Sequence, residues 1–513
     1  MEGRRKLDAT GRAAGGLLIL ALCAPASVAD DIDRGMELAR AGRLAEARAV
    51  FLHGESVAPR DKRYPLELAG LEYRLKNLAA AKRNLERALA LDPADAYGND
   101  FLGTVYYLQG NLEGALRYWN RVGKPRIDDV TVRPEPALNP VLLDSALAFS
   151  PGSVLTLDGF RTTEARLDSL DAFPAYRVEL SARPDERFDA SLHWLQAPAW
   201  MEAVSMLRGL AYQTVEPEFR DISGSGVNWS GMLRWDAQKR RAAISVAGPL
   251  HHNARWRYDW YAEARSETWN AGAGDFRLKR VATGAELEAI PNGRISWRTG
   301  IEVSSRGFLN LPVYPGGTAL QYRVGMTNEL LRIPERRFTL NSGSTWDVGR
   351  MISGSQDLFS HAQAWLAARW LPRASGEDYA MNGRISAGAT FGSAPFDEWF
   401  MLGVERDNDL WLRGHAGTID GKKGSAPIGR NYFLANLDFH KELYQRTLFT
   451  VEAGPFLDTG KTKDVFGRTA LQGWLVDSGL TSSVRIAGVV RISVLYGRDL
   501  RGGGRVLYAT VGK

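Results

Sequence analysis

The chain has almost no cysteine: the one among 513 residues, Cys23, lies in the opening apolar run. Disulfides and thiol chemistry are therefore excluded from everything after that run. Histidine is scarce as well, with seven scattered residues. None stands in a His-x-x-x-His pair, and no serine sits on a strand-turn-helix elbow, so neither a helical zinc site nor a nucleophilic triad can be assembled. No segment beyond the opening run offers about 18 uninterrupted apolar residues, which excludes a helical membrane span there. Charge of one sign is also lacking. The formal net charge of +6 falls to +4 once the first 29 residues, with four basic and two acidic side chains, are set aside. That is too little for a nucleic-acid surface.

The opening residues carry the pattern of a secretory signal. Arg4, Arg5, Lys6 and Arg12 precede the apolar run from Ala13 to Ala24, and Ser27-Val28-Ala29 supplies the small residues for cleavage, so residues 1–29 are expected to be a signal peptide and Asp30 the mature start. Leu22 is too bulky for a lipidation site at Cys23. Residues 30–125 then repeat with a 34-residue period: Ala47, Ala81 and Ala115 keep one register, Phe51, Leu85 and Trp119 a second, and Gly35, Ala69 and Gly103 a third. Small residues let paired helices approach while the bulky position fills the space between units, the pattern of an all-α tetratricopeptide solenoid. Pro59 and Pro93 end second helices. Such an array offers a groove to a partner protein, or serves as a plain spacer.

Gly123-Lys124-Pro125, Pro134, Pro136 and Pro140 suggest a linker over residues 126–140. In residues 141–197 a helical stretch bearing Leu157, Phe160, Leu167, Leu170 and Phe173 precedes two alternating strands, Tyr176-Val178-Leu180 and Phe188-Ala190-Leu192-Trp194, so a small α+β domain is expected.

Alternation dominates residues 198–513. Phe433, Ala435, Leu437 and Phe439 share one face of a strand and Tyr432, Asn436, Asp438 and His440 the other; Phe449, Val451, Ala453, Pro455 and Leu457 oppose Thr450, Glu452, Gly454, Asp458 and Gly460. Phe456 alone breaks the second pattern. A tight hairpin is expected at Leu443–Arg446, and Val490, Ile492, Val494 and Tyr496 continue the alternation. One apolar and one polar face suit a sandwich half-buried in water or a transmembrane antiparallel β-barrel. Further strand candidates are Val227–Asp236, Arg241–Val246, Trp256–Ala264, Ile295–Val303, Leu320–Met326, Ala362–Trp370 and Gly383–Thr390, and tryptophan and tyrosine are frequent among them, as in interfacial girdles.

Two short motifs, Leu412-Arg413-Gly414-His415 and Phe456-Leu457-Asp458-Thr459-Gly460, followed by Val490–Leu500 and a last strand Arg505–Lys513, resemble the C-terminal barrel of the bacterial surface antigen superfamily. That group includes the BamA- and TamA-type outer-membrane assembly factors and the two-partner-secretion transporters. The resemblance is clearest from about Pro395 to Gly512. It implies a barrel of about 16 strands, for which roughly 315 residues at about twenty per strand and turn leave room. It also implies that Arg413 enters the lumen to pair with Asp458 near Phe456, that residues 141–197 are a single POTRA-like domain, and that the seam joins Val227–Asp236 to Arg505–Gly512. His415 departs from the family, where Phe or Tyr is usual.

The implied protein sits in outer-membrane lipid with its N-terminal domains in the periplasm. It helps client proteins insert or cross, with the repeat groove and an exposed edge of the POTRA-like sheet binding clients or partners. No covalent chemistry, cofactor, metal or nucleic acid is expected. An exopolysaccharide export porin is the alternative, and a surface receptor or adhesin a third reading, with Arg332–Gln356 as its best outward loop. Asp458-Thr459-Gly460 matches an aspartic-protease triplet but has no second copy. Gly460-Lys461-Thr462 lacks the upstream glycine of a phosphate loop, since Pro455 occupies that position, and Gly421-Lys422-Lys423 lacks the hydroxyl. His251-His252 reads as a solvated loop.

Overall fold

The structure, a computed structural model, describes residues 28–512 except 174, 195–205, 208, 271–273, 312–315, 355–356, 447–448, 466–472 and 487–489. The expected signal thus lies outside the described residues apart from Val28 and Ala29. The chain divides into two compact units, 1–102 and 103–513.

The first unit holds helices α1 (Val28–Arg40), α2 (Leu44–Val57), α3 (Arg63–Arg74), α4 (Leu78–Leu91) and the start of α5 (Ala96–Leu108). Helix α1 packs on α2, and α3 on α4. The 34-residue register lies in the core, where Ala47, Phe51, Ala69, Ala81 and Leu85 are all buried. A Cβ at Gly35 would stand 2.3 Å from the Phe51 ring, so the small residue makes room for the large one. The second unit repeats this arrangement between Gly103 and Trp119, where the distance is 2.4 Å. Asn77 caps α4 through Ala80 N, and Asn111, 34 positions on, caps helix α6 (Leu112–Trp119) through Gly114 N.

A three-stranded sheet follows, in spatial order β1-β3-β2, from β1 (Arg126–Arg133), β2 (Tyr176–Ala182) and β3 (Arg187–Trp194). Helices α7 (Pro140–Ala146) and α8 (Leu157–Leu170) cover it through Leu142, Ala146, Leu167, Leu170 and Leu192. The expected linker over 126–140 is thereby corrected. Its prolines begin only at Pro134, while Ile127 is fully buried and the preceding run pairs in parallel with β3.

The remainder is a closed barrel. Two short strands, β4 (Thr214–Val215) and β5 (Glu218–Phe219), lead into β6 (Asn228–Trp235), β7 (Lys239–Leu250), β8 (Asn253–Asn270), β9 (Asp275–Asn292), β10 (Ile295–Leu309), β11 (Gly317–Ile333), β12 (Phe338–Met351), β13 (Leu358–Trp370) and β14 (Tyr379–Gly392). Three two-residue strands, β15 (Phe400–Met401), β16 (Thr418–Ile419) and β17 (Lys422–Lys423), interrupt the long segment before β18 (Ile428–Arg446). The wall finishes with β19 (Phe449–Val465), β20 (Leu475–Ile486), β21 (Val490–Asp499) and β22 (Arg505–Gly512). Among the described residues the wall has fourteen strands of eight residues or more, against the sixteen expected from resemblance. Ile301, Val303, Tyr322, Ile385, Leu437, Leu457 and Leu480 point outward and are exposed. Apolar residues on the outside of a closed barrel, alternating with buried polar ones, are the signature of a wall that faces lipid.

Three expectations change. Arg332–Gln356 is no outward loop: Pro334–Arg336 makes a single turn and β12 occupies most of the rest. Leu443–Arg446 continues β18 instead of turning, and Arg446 pairs with Phe449 at the start of β19. The seam does not join β6 directly to β22, because β4 and β5 lie between them, paired along the β6 edge from Thr214↔Arg234 to Phe219↔Trp229. The strand β22 pairs along its whole length with β21, and on the seam side it meets β4, which has only two residues. Pro217 interrupts this strap and has no N–H to donate, which limits the length of β4 and β5.

The short-turn end of the barrel carries the small domain. Arg161 on α8 pairs with Glu329 at 3.0 Å, with both side chains under a tenth exposed. Asn111 Nδ2 donates to the Pro334 carbonyl at 2.8 Å while its Oδ1 caps α6. Among the described residues no helix is long and apolar enough to cross a membrane.

Candidate functional site

The segment between β14 and β18, residues 393–427, folds back into the lumen. Its apolar residues make this favourable: Phe400, Leu402 and Leu412 pack with Tyr432, Leu434 and Leu475 of the wall, while Phe396, Met401 and Ala426 pack with Phe276 and Ile428. Polar contacts then fix its register.

Arg413 stands at the tip of this loop. Its Nε and Nη2 donate to Asp458 Oδ2 and Oδ1 at 2.8 and 2.6 Å, the parallel two-bond fork of a guanidinium on a carboxylate. Its backbone N–H donates to Oδ2 at 3.0 Å, Asp438 takes a further guanidinium bond, and the guanidinium lies 3.9 Å from the Phe456 ring centre. Asn436 Nδ2 completes the shell of Asp458, which is fully buried. Phe456, the exception to the strand alternation, thus faces inward beside Asp458 as the platform for Arg413.

Gly414 turns the loop onto the wall. Its N–H donates to Asp477 Oδ2 at 2.5 Å, and a Cβ there would lie 2.5 Å from the Asp499 backbone nitrogen, so no larger residue fits. Gly497 is required for the same reason: its Cβ would stand 1.9 Å from the Arg413 carbonyl oxygen. Gly460 packs under the loop, where an added Cβ would meet Leu402 at 3.2 Å. His415 reaches Asp477 through Nδ1 at 3.1 Å and Asp499 through Nε2 at 3.4 Å.

Charged tethers ring the opposite wall. Arg306 pairs with Asp397 and Glu398 at 3.1 Å each, and Gln321 Nε2 donates to Glu398 at 3.0 Å. Asp407 accepts two bonds from Arg234 at 2.6 and 3.1 Å and lies 3.3 Å from Arg241. Lys423 pairs with Glu267 at 2.6 Å, and Lys239 with Glu405 at 3.2 Å. Removing either member of such a buried pair strands its partner, so the loop is held as a unit.

Of the residues expected at the site, Arg413, Gly414, Phe456, Asp458 and Gly460 all meet in the lumen. The repeat residues Gly35, Ala47, Phe51, Ala69, Ala81, Leu85, Gly103, Ala115 and Trp119 are helix-packing positions. Sequence reasoning missed Asp438, Asp477, Asp499, Asp397, Glu398 and Asp407. Asp438 carried a signal, since it shares the polar face of β18 with Asn436. Asp499 lies within the Val490–Leu500 run; the other four had no signal, because their partners lie far away in the sequence.

Fold and site together define a membrane-spanning β-barrel whose lumen holds an arginine-anchored loop. Solved structures with a similar fold include CdiB from Escherichia coli (14% identity, covering 76% of this chain and 76% of that one, TM-score 0.52). BamA from Haemophilus ducreyi lacking POTRA domains 1-3 also matches (10%, 76% and 84%, 0.44), as does CdiB from Acinetobacter baumannii (11%, 75% and 73%, 0.46). The fold is thus similar to that of the Escherichia coli CdiB barrel. No family model and no curated protein matches the chain.

Proposed function

We propose that this protein is an outer-membrane barrel that passes client polypeptides into or across that membrane, with residues 30–125 as a tetratricopeptide array and the small α+β domain as a POTRA-like module on the periplasmic side. It does so without covalent chemistry. The observation that carries this reading is the seam, where β22, paired along its whole length with β21 on one side, meets the two-residue β4 on the other. Opening that join would release a row of unpaired backbone N–H and C=O groups along β22, a template for an incoming strand. The loop in the lumen supports a lateral route, since its tethers run to strands all around the wall. An open conduit for exported polysaccharide would need those tethers broken. The outer edge of β2, which among the described strands pairs with β3 alone, offers a second place for an extended client on the periplasmic side, and the helical repeats a third.

Photo-crosslinking in intact cells tests the reading. A photoreactive residue at Leu507 or Ala509 on β22 is expected to capture polypeptide clients, while the same residue at outward-facing Trp346, on β12 across the barrel, captures none. Equal capture at Trp346, or no polypeptide adduct at β22, would overturn the seam as the client site.

A further inference from the structure

Strands β7 and β9 carry cations on both faces of the wall. Those that point into the lumen are paired: Arg241 and Arg280 both reach Glu263, at 2.7 and 2.8 Å. Those that point outward are not. Arg240 and Lys279 flank Ser266 on the outer face, in the register Arg240↔Ser266↔Lys279, and among the described residues neither cation makes a hydrogen bond or an ion pair. Arg277, next but one to Lys279 on the same face, donates only to Thr268 Oγ1, at 3.3 Å. Asp275, the carboxylate next along that face, is held by Lys422 at 2.5 Å.

These outward cations lie near the end of the barrel remote from the small domain. The near end is marked by the turns at His252 and Gly293, which bond to Ser145 and Thr162 of that domain. Arg240 is the second residue of β7 and Lys279 the fifth of β9, so neither is more than about 13 Å along its strand from the far end, at about 3.3 Å per residue. That depth is the headgroup level of the outer leaflet, where a lipid-facing arginine or lysine costs little and attracts negative charge. The wall is recessed beneath them. A groove of about 810 Å3 on the outer face is lined by Arg240, Ser266, Lys279 and Gly307, with Trp235 as one bank, and it shares Ala242 and Ala264 with a second of about 580 Å3.

We propose that this groove holds a phosphorylated lipid of the outer leaflet, with its phosphate between Arg240 and Lys279 and an acyl chain along Ala242 and Ala264. The strands bearing the two cations are about 10 Å apart, a gap that two long side chains close around one phosphate. The Ser266 hydroxyl between them adds a donor. Hydrocarbon against hydrocarbon distinguishes no lipid from another, so the apolar furrow supplies shape and the cations supply selection. The seam and the lumen loop take no part.

The test is native mass spectrometry of the full-length barrel released from phosphatidylcholine nanodiscs doped with lipid A, a phosphorylated acylated disaccharide, or with its dephosphorylated form. The wild type is expected to keep one lipid A and none of the dephosphorylated lipid. Arg240→Gln combined with Lys279→Gln is expected to weaken retention at least about tenfold, because two cations beside an anionic headgroup are lost. Ala264→Trp fills the furrow without changing charge and is expected to lose most of the retention. Lys461→Gln combined with Lys463→Gln removes two outward cations from β19, across the barrel, and is expected to change nothing. Arg240, Lys279 and Ala264 are all exposed, so these variants are expected to fold. If the charge variant does not, Ala264→Trp decides. No lipid A on the wild type, equal retention of the dephosphorylated lipid, an equal loss in the β19 variant, or inorganic phosphate held as tightly as lipid A would overturn the proposal.

Discussion

Removing the Arg413 guanidinium is the perturbation with the best-defined consequence. Asp458 is fully buried and accepts four hydrogen bonds: from Arg413 Nε, Nη2 and backbone N, and from Asn436 Nδ2. Arg413→Ala deletes the two guanidinium bonds to Asp458 and the one to Asp438, and leaves a carboxylate in a closed site. Breaking one side of a buried pair costs about 3 to 5 kcal/mol. The Asn436 bond survives, and so does the backbone bond while the loop keeps its course, which places the cost near the lower end, about 3 kcal/mol. Asp458→Asn keeps the shape and leaves Arg413 with Asp438 and the Phe456 ring, so it costs less, about 1–2 kcal/mol. The double variant should then fall short of the summed singles by more than about 1 kcal/mol. Arg413→Lys retains the charge but not the two-bond fork and should lie between wild type and Arg413→Ala. Denaturant unfolding of the barrel in lipid, followed by tryptophan fluorescence, reads all four. Additive effects within about 0.5 kcal/mol, with Arg413→Ala as stable as wild type, would refute the reasoning.

A second expectation concerns pH outside the membrane. Burial, reinforced by the neighbouring Glu113 carboxylate, raises the Glu164 carboxyl on α8 to about 7. The folded domain therefore holds a proton that the unfolded chain has lost above its own carboxyl range, so this group disfavours the fold increasingly as pH rises from about 4.5 to about 7. Glu164→Gln should leave stability unchanged near pH 4 and raise it near pH 8 by up to about 3 kcal/mol, seen in the helical circular dichroism on melting. A larger gain at low pH would contradict this. A third expectation separates the routes. With Leu402 and Gly460 replaced by cysteine and bridged by a cleavable bifunctional thiol reagent, the loop is fixed to β19, and client delivery through the seam should continue. Loss of delivery that returns when the bridge is cleaved would mean that the loop must leave the lumen.

What was legible in the sequence was mostly local. The period-two alternation around Leu457 predicts an outward apolar face, and the single misfit, Phe456, marks the inward platform. The 34-residue register of Ala47, Ala81 and Ala115 predicts buried helix contacts, because packing distance permits nothing larger there. The strand Arg126–Arg133 was obscured by the prolines that follow it, although its β-branched run pairs with β3. The strap at residues 213–219 was too short to carry any period. The tethers were the least legible. Asp407 meets Arg234 across 173 positions, and nothing local to either residue names the other. The Arg413 and Asp458 pairing was expected only through family resemblance, and its fork geometry is what the structure adds.

Delivery of polypeptides by this barrel is open to measurement. Its most direct measurement is quantitative proteomics of the outer membrane, periplasm and medium in cells depleted of the protein and complemented with wild type or Arg413→Ala, with exported polysaccharide measured in the same cultures. On depletion, a defined set of polypeptides is expected to leave the outer membrane or the medium and to accumulate in the periplasm. Wild type restores that set, Arg413→Ala restores it poorly, and polysaccharide does not change. An unchanged proteome with a fall in exported polysaccharide would contradict it.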